Sequence, residues 1–165
     1  MTETSSAEEF QAEITRRYDA PMYRAMLEVY GDQIHPGFLQ AGDDDIREAA
    51  LRATARLAEL AQIAAGARVL ETACGVGGTA RFLAGVRGAN VLATNIARTQ
   101  LDIARDWTRN APGAEHISYE FADYHALPYA DSSFDIYWCQ DSLLFSTDRP
   151  RALAEAARVL RPGGT

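Results

Sequence analysis

Apolar positions recur along this chain with two periods, and the change from one to the other sets out an architecture. From about Glu8 to Arg17, Phe10 and Ile14, with Tyr18 just beyond, stand four apart on one face, which predicts an amphipathic cap helix. Between Gly31 and Gly42, Pro36 and the glycines discourage regular helix, so an irregular lid is expected. Helical spacing returns behind Asp43 to Asp45, which are candidate N-caps, with Glu48 as half of a capping box. The predicted buried face of this helix runs through Ile46, Ala49, Ala53, Leu57, Leu60 and Ala64, and Gly66 is its expected stop.

Beyond Gly66 short apolar runs alternate with helical ones. Strands are predicted at Ala67 to Leu70, Asn90 to Asn95, Ile117 to Ala122 and Phe134 to Cys139. A helix is expected from Arg98 to Asn110, burying Leu101 and Ala104. Another is capped by Asp148, carries Pro150 in its first turn and is stopped by Pro162-Gly-Gly. This alternation implies right-handed crossovers and an α/β fold: a doubly wound, Rossmann-like parallel sheet in three αβα layers. The expected division is a cap and lid over residues 1–42 and a ligand-binding domain over 43–165.

The predicted strands share a feature: each ends on polar residues, namely Glu71, Asn95, Asp123, and Gln140 with Asp141. In an open parallel sheet the carboxyl ends of the strands border the crevice where ligands bind. The first strand also runs into Ala73-Cys-Gly-Val-Gly-Gly78, where Gly75, Gly77 and Gly78 let backbone approach a ligand that a Cβ would exclude. Amides at the following helix start favour a phosphate or carboxylate. Asn95 lies about 20 residues beyond the turn, where a dinucleotide fold places its ribose-binding residue. A nucleotide-like cofactor is therefore expected, with packing of a strand–helix junction as the alternative for the glycines.

Charge and cysteines narrow the classes. The formal net charge is −7 and no cluster of basic residues occurs, which argues against a nucleic-acid partner. Cys74 and Cys139 each sit in an apolar segment and show no metal or disulfide spacing, as expected of reduced thiols in a cytoplasmic protein. No basic-then-apolar leader and no run of about 18 apolar residues is present, so no membrane association is expected.

With these residues in place, the chain resembles class I S-adenosylmethionine-dependent methyltransferases. The glycine-rich stretch matches the first motif, Asp123 to Tyr129 (DYHALPY) the second, and Ala157 to Gly164 (ARVLRPGG) the third. The resemblance spans roughly residues 10 to 165. YGDQIHPGF at Tyr30 to Phe38, VLATNIARTQ at Val91 to Gln100 and the stretch Trp138 to Leu144 are most similar to sarcosine and dimethylglycine N-methyltransferases and related small-molecule enzymes. Sequences of this kind continue past the RPGG turn, so the resemblance implies that the C-terminal strands of the sheet are missing. An open sheet edge allows pairing with a second copy, a homo-oligomer.

The resemblance implies S-adenosylmethionine as cofactor, a small-molecule acceptor and no metal. Glu71, Ala73 and Gly75 would serve the amino-acid end, Asn95 and Gln100 the ribose, and Ile96 also belongs to the cofactor set. Asp123 would accept from the adenine amino group beside Tyr124, while Tyr18 and Gln140 complete the cofactor set. Relatives carry glycine at Ala73, whose methyl fits a tight turn only if φ stays negative. They also carry Asp or Glu at Asn95, where an amide accepts one bond and donates another. Asp141 is a candidate for holding a cationic amine or a substrate hydroxyl, and His35 for facing the pocket. Each has a plain alternative: caps for Asn95, Gln100 and Asp141, an Asx turn for Asp123, core packing for Tyr18, Tyr23 and Tyr30, and backbone satisfaction for His35. Relatives often place histidine just after the fourth strand, where this chain has Leu144 and Phe145. That difference favours an amine acceptor over a hydroxyl, which profits from a general base. An O- or C-methyltransferase of natural-product metabolism, or a non-catalytic binding module, remain the other readings. His116 and His125 are expected at the surface.

Overall fold

Val69 and Leu70 adjoin in sequence but serve different cores, because side chains alternate across a strand. Both are fully buried. Val69 packs with Val91, Ala93, Ile136 and Trp138 on one face of a sheet, and Leu70 with Phe134, Leu127 and Val159 on the other. Burial on both faces is what a parallel sheet covered by helices requires. The computed structural model describes residues 12–14, 16–18, 21–39 and 45–165. Within it, β1 (Arg68–Thr72), β2 (Asn90–Asn95), β3 (Ile117–Phe121) and β4 (Ile136–Trp138) form one sheet in the order β3-β2-β1-β4. All three pairings are parallel, with Val69 opposite both Val91 and Ile136.

Helices α1 (Pro21–Tyr30) and α2 (Ile46–Leu60) precede the sheet. The crossovers use α3 (Gly78–Arg87) and α4 (Arg98–Thr108), and α5 (Arg149–Val159) follows β4. Residues of α2, α3 and α4 cover the Val69 face, and Val159 of α5 the Leu70 face, giving the expected three layers. Beyond α5, Thr165 exchanges backbone bonds with Asp135 and Tyr137, so the chain ends alongside β4.

Three expectations change. Helix α1 falls just before the segment read as lid. Pro21 occupies its first position, where the missing N–H costs nothing, and that was its sequence signal. Helix α2 buries Ala49, Ala50, Ala53, Thr54 and Ala58, whereas Ile46, Leu57 and Leu60 are exposed. Its buried face is rotated because small residues admit close backbone: a Cβ on Gly37 would lie 2.2 Å from the Ala49 carbonyl carbon. The Phe38 N–H donates to the Ala49 carbonyl at the same contact. The helix also stops at Ala61 and Gln62, the latter with φ 51°, short of Gly66. Asp45 takes the N-cap by accepting from the Arg47 N–H, while Glu48 faces Arg52 at 3.8 Å. Residues 12–14 and 16–18 are helical, in keeping with the cap helix. Phe10, Asp43 and Asp44 lie outside the described residues.

Candidate active site

The strand ends converge. A cleft of about 460 Å³ is lined by Glu71, Ala73, Gly75, Asn95, Gln100, Gln140 and Asp141 from the sheet side, and by Tyr18 and His35 from the lid side. A smaller chamber of about 80 Å³, lined by Ile96, Asp123 and Tyr124, shares Tyr18, Ala73, Asn95, Ser142 and Phe145 with it. These candidates thus border two adjoining chambers at the carboxyl edge of the sheet, whereas Tyr30 lines neither.

At its floor the Glu71 carboxyl is buried and its Oε2 has no hydrogen-bond partner. Burial pushes its pKa up to about 8, opposed by the nearby Arg81 guanidinium. Beside it the turn is tighter than expected. Ala73 adopts φ 53°, so the condition of a negative φ is not met and the methyl sits in a conformation that disfavours side chains. Of the three glycines, Gly75 alone opens into space. A Cβ on Gly77 would meet the Tyr119 hydroxyl at 2.2 Å, and one on Gly78 the Asp32 carbonyl oxygen at 2.2 Å. Two of the glycines therefore admit other parts of this chain, and Gly75 alone faces open space. Arg81 holds the turn from behind: it donates to the Val76 carbonyl, to Thr108 and, at 2.8 Å, to Asp32 of the lid.

Asn95 and Gln100 touch each other, with Asn95 Nδ2 donating to Gln100 Oε1 at 2.7 Å. Gln100 Nε2 donates to the buried Tyr23 hydroxyl from α1, and Asn95 Oδ1 accepts from the Ala97 N–H. The Asn95 oxygen thus closes a local turn before α4, whose N-cap is Ala97 without a side-chain cap, and has one lone pair left. Burial raises the Tyr23 pKa to about 12, keeping the hydroxyl protonated.

The lid is fastened by a second polar cluster. Thr54 Oγ1, fully buried on α2, donates to Gln33 Oε1 at 3.1 Å and lies 3.1 Å from His35 Nε2 and 3.4 Å from Gln140 Oε1. His35 Nδ1 faces the Pro36 carbonyl at 3.1 Å, and Gln140 Nε2 lies within 3.2 Å of the ring. Both ring nitrogens of His35 are engaged, so it lines the cleft as a fastener. Asp141, with φ 56°, is exposed at the mouth and makes no hydrogen bond or ion pair among the described residues.

Asp123 does form the Asx turn, its Oδ1 accepting from the His125 N–H. His125 corrects the surface expectation: its ring is half-buried in the smaller chamber, 2.7 Å from Asp123 Oδ1 and 2.8 Å from Ser146 Oγ. His116 is exposed, as expected. Tyr129 and Phe134 pack edge to face, and the Tyr137 hydroxyl accepts from Thr72, so these three are structural. Both cysteines are free thiols, and no metal-holding cluster occurs among the described residues. No helix among those residues is long and apolar enough to cross a membrane.

Residues 70–165 match the methyltransferase domain family, and the chain belongs to that family. It is 40% identical to the methyltransferase GfsG of Streptomyces halstedii over 94% of this chain and 56% of that protein. It is 39% identical to a glycine/sarcosine/dimethylglycine N-methyltransferase of Actinopolyspora halophila, covering 82% of this chain and 24% of the other. Among solved structures it superposes on the [4+2]-cyclase SpnF with a TM-score of 0.85 at 30% identity, over 93% of this chain and 57% of that one. The chain therefore spans from about a quarter to a little over half the length of these relatives.

Proposed function

We propose that this chain carries the donor-binding half of an S-adenosylmethionine-dependent methyltransferase acting on a small-molecule amine, with residues 1–42 as lid and 43–165 as donor domain. The observation that carries the reading is the unpartnered Glu71 oxygen at the base of a cleft whose opposite end holds Asp123. A buried carboxyl lacking a partner is costly, and a ligand ammonium removes that cost.

The residues fit this cofactor along its length. Glu71 accepts from the ammonium, and the open Gly75 backbone passes the amino-acid portion without a Cβ in the way. Asn95 offers its remaining lone pair to a ribose hydroxyl, with Gln100, held by Tyr23, setting its orientation. Asp123 accepts from the adenine amino group, with Ile96 and Tyr124 as walls of that chamber. When bound, S-adenosylmethionine supplies a methyl group on a sulfonium, open to in-line displacement. The protein's own part is alignment and exclusion of water.

The acceptor side is lined by Met22, Met26, Ile34 and Phe145, with Asp141 as its carboxylate. The rings of His35 and His125 are both engaged, which leaves the cleft without an unengaged imidazole among the described residues to take a proton from a hydroxyl. An amine needs no such base once it is neutral, and Asp141 can hold its ammonium form before that proton leaves. The apolar walls favour a second reading, O-methylation of a larger hydroxyl compound. SpnF is a [4+2]-cyclase, so this fold does not dictate the reaction.

Calorimetric titration with S-adenosylhomocysteine tests the donor site: binding that is weakened but still measurable in Asp123→Ala is expected, and no heat from the unaltered protein overturns the reading. Labelled cofactor with a panel of glycine-derived amines and phenols tests the acceptor. Labelling of amines, reduced at least tenfold by Asp141→Asn, is expected, and labelling of phenols alone replaces the amine with the second reading.

A further inference from the structure

His125, Ser146 and Asp148 form a chain of hydrogen bonds that ends on the Asp123 carboxylate. A carboxylate only accepts, so the His125 Nδ1 that lies 2.7 Å from Asp123 Oδ1 carries the hydrogen. The other ring nitrogen, Nε2, lies 2.8 Å from the Ser146 hydroxyl, which also hydrogen-bonds Tyr124. Ser146 Oγ in turn accepts from the Asp148 N–H, where α5 begins. The main chain of His125 is held too, since its carbonyl accepts from Arg151 Nε at 2.7 Å and its N–H donates to the same Asp123 oxygen. Asp123 Oδ1 thus receives two bonds from one residue, which fixes the plane of the carboxylate.

Resting on the donor-site reading above, we infer that His125 is a positioning residue for the nucleoside end of the cofactor: it and Ser146 orient Asp123 and bind the adenine-side loop to the segment after β4. That segment contributes Ser142 and Phe145 to both chambers of the cleft, so one relay aligns the walls that donor and acceptor share. The order Ser146–His125–Asp123 also matches a hydrolytic triad. Ser146 does not line the cleft and its Oγ is already an acceptor for the Asp148 N–H, so the serine is an anchor for the imidazole.

Two measurements test this. Calorimetry with S-adenosylhomocysteine compares the unaltered protein, His125→Ala, His125→Asn, Ser146→Ala, Asp123→Ala and the Asp123→Ala/His125→Ala double variant. A hydrogen bond to a charged group of this kind corresponds to roughly a tenfold change in binding. His125→Ala is therefore expected to weaken binding about tenfold. His125→Asn, whose amide can donate in place of Nδ1, should recover most of the loss, and Ser146→Ala should fall between. In the Asp123→Ala background the His125→Ala effect should vanish, which a general destabilisation would not produce. Unchanged binding in His125→Ala, or an equal loss with and without Asp123, overturns the inference. The second measurement is the imidazole nitrogen spectrum of the unliganded, unaltered protein. A His125 ring with hydrogen on Nδ1 is expected, and hydrogen on Nε2 alone overturns the relay even if no cofactor binds. Failure of the unaltered protein to bind S-adenosylhomocysteine, by contrast, removes the donor-site reading and leaves the relay to be decided by that spectrum.

Discussion

Ala73 shows how one methyl group can report on a turn. Its φ of 53° lies where L-residues other than glycine lose about 1–2 kcal/mol, yet the position borders both chambers of the cleft. Ala73→Gly is expected to relieve that strain and stabilise the protein by about 1 kcal/mol in denaturant unfolding, after the extra freedom of glycine in the unfolded chain is counted. At this scale the sequence was most legible where a residue terminates a strand. Glu71, Asn95, Asp123 and Gln140 could be placed because a period-two run ended on them and parallel sheets gather such ends. His125 was not legible, because its partner Ser146 is 21 residues away and nothing in the local pattern joins them. Arg81 and Thr54 escaped notice for a related reason: an arginine or threonine within a helical run reads as surface until the element packed against it is known.

Docking of the lid on the core depends on two places where elements touch backbone to backbone, Gly37 against α2 and Gly78 against Asp32. Gly78→Ala would drive a methyl into the Asp32 carbonyl and loosen the Asp32–Arg81 pair. A loss of about 1–3 kcal/mol is expected. Backbone amides of residues 21–39 should exchange faster with solvent, while those of β1 and β2 change little; equal acceleration throughout would show that the lid is not a separate unit. Elements with a clean period, β2 and α4, were predicted almost to the residue. Helix α2 was predicted in place but rotated, since its face is chosen by what alanine lets approach and not by where the larger side chains fall. Helix α1 was missed because its apolar residues are mostly exposed, so its amphipathic signal points toward the cleft and not toward a core.

Two glutamates pull the whole molecule's pH response in opposite directions. Glu155 accepts from Arg158 and from the Leu127 N–H, which hold its pKa near 2. Its stabilisation is present above the ordinary value of 4.5 and is lost as pH falls toward 2. Glu71, raised to about 8, does the reverse: the folded state retains a proton that the unfolded chain releases, so a penalty grows as pH rises from 4.5 to 8. Thermal melts should therefore show Glu155→Gln below the unaltered protein at neutral pH, with the gap closing in acid. Glu71→Gln should lie above it at pH 8 and converge with it below 4.5. Calorimetry in buffers of different ionisation enthalpy should further show proton release when S-adenosylhomocysteine binds near pH 7, because an ammonium beside Glu71 favours its charged form; absence of release would detach Glu71 from the ligand. Titrations of this kind were invisible in the sequence, where both residues are simply acidic. The meeting of lid, helix and strand end at Thr54 has one more consequence. Gln33, His35 and Gln140 all lean on that single hydroxyl, so loss of one oxygen would unfasten all three together.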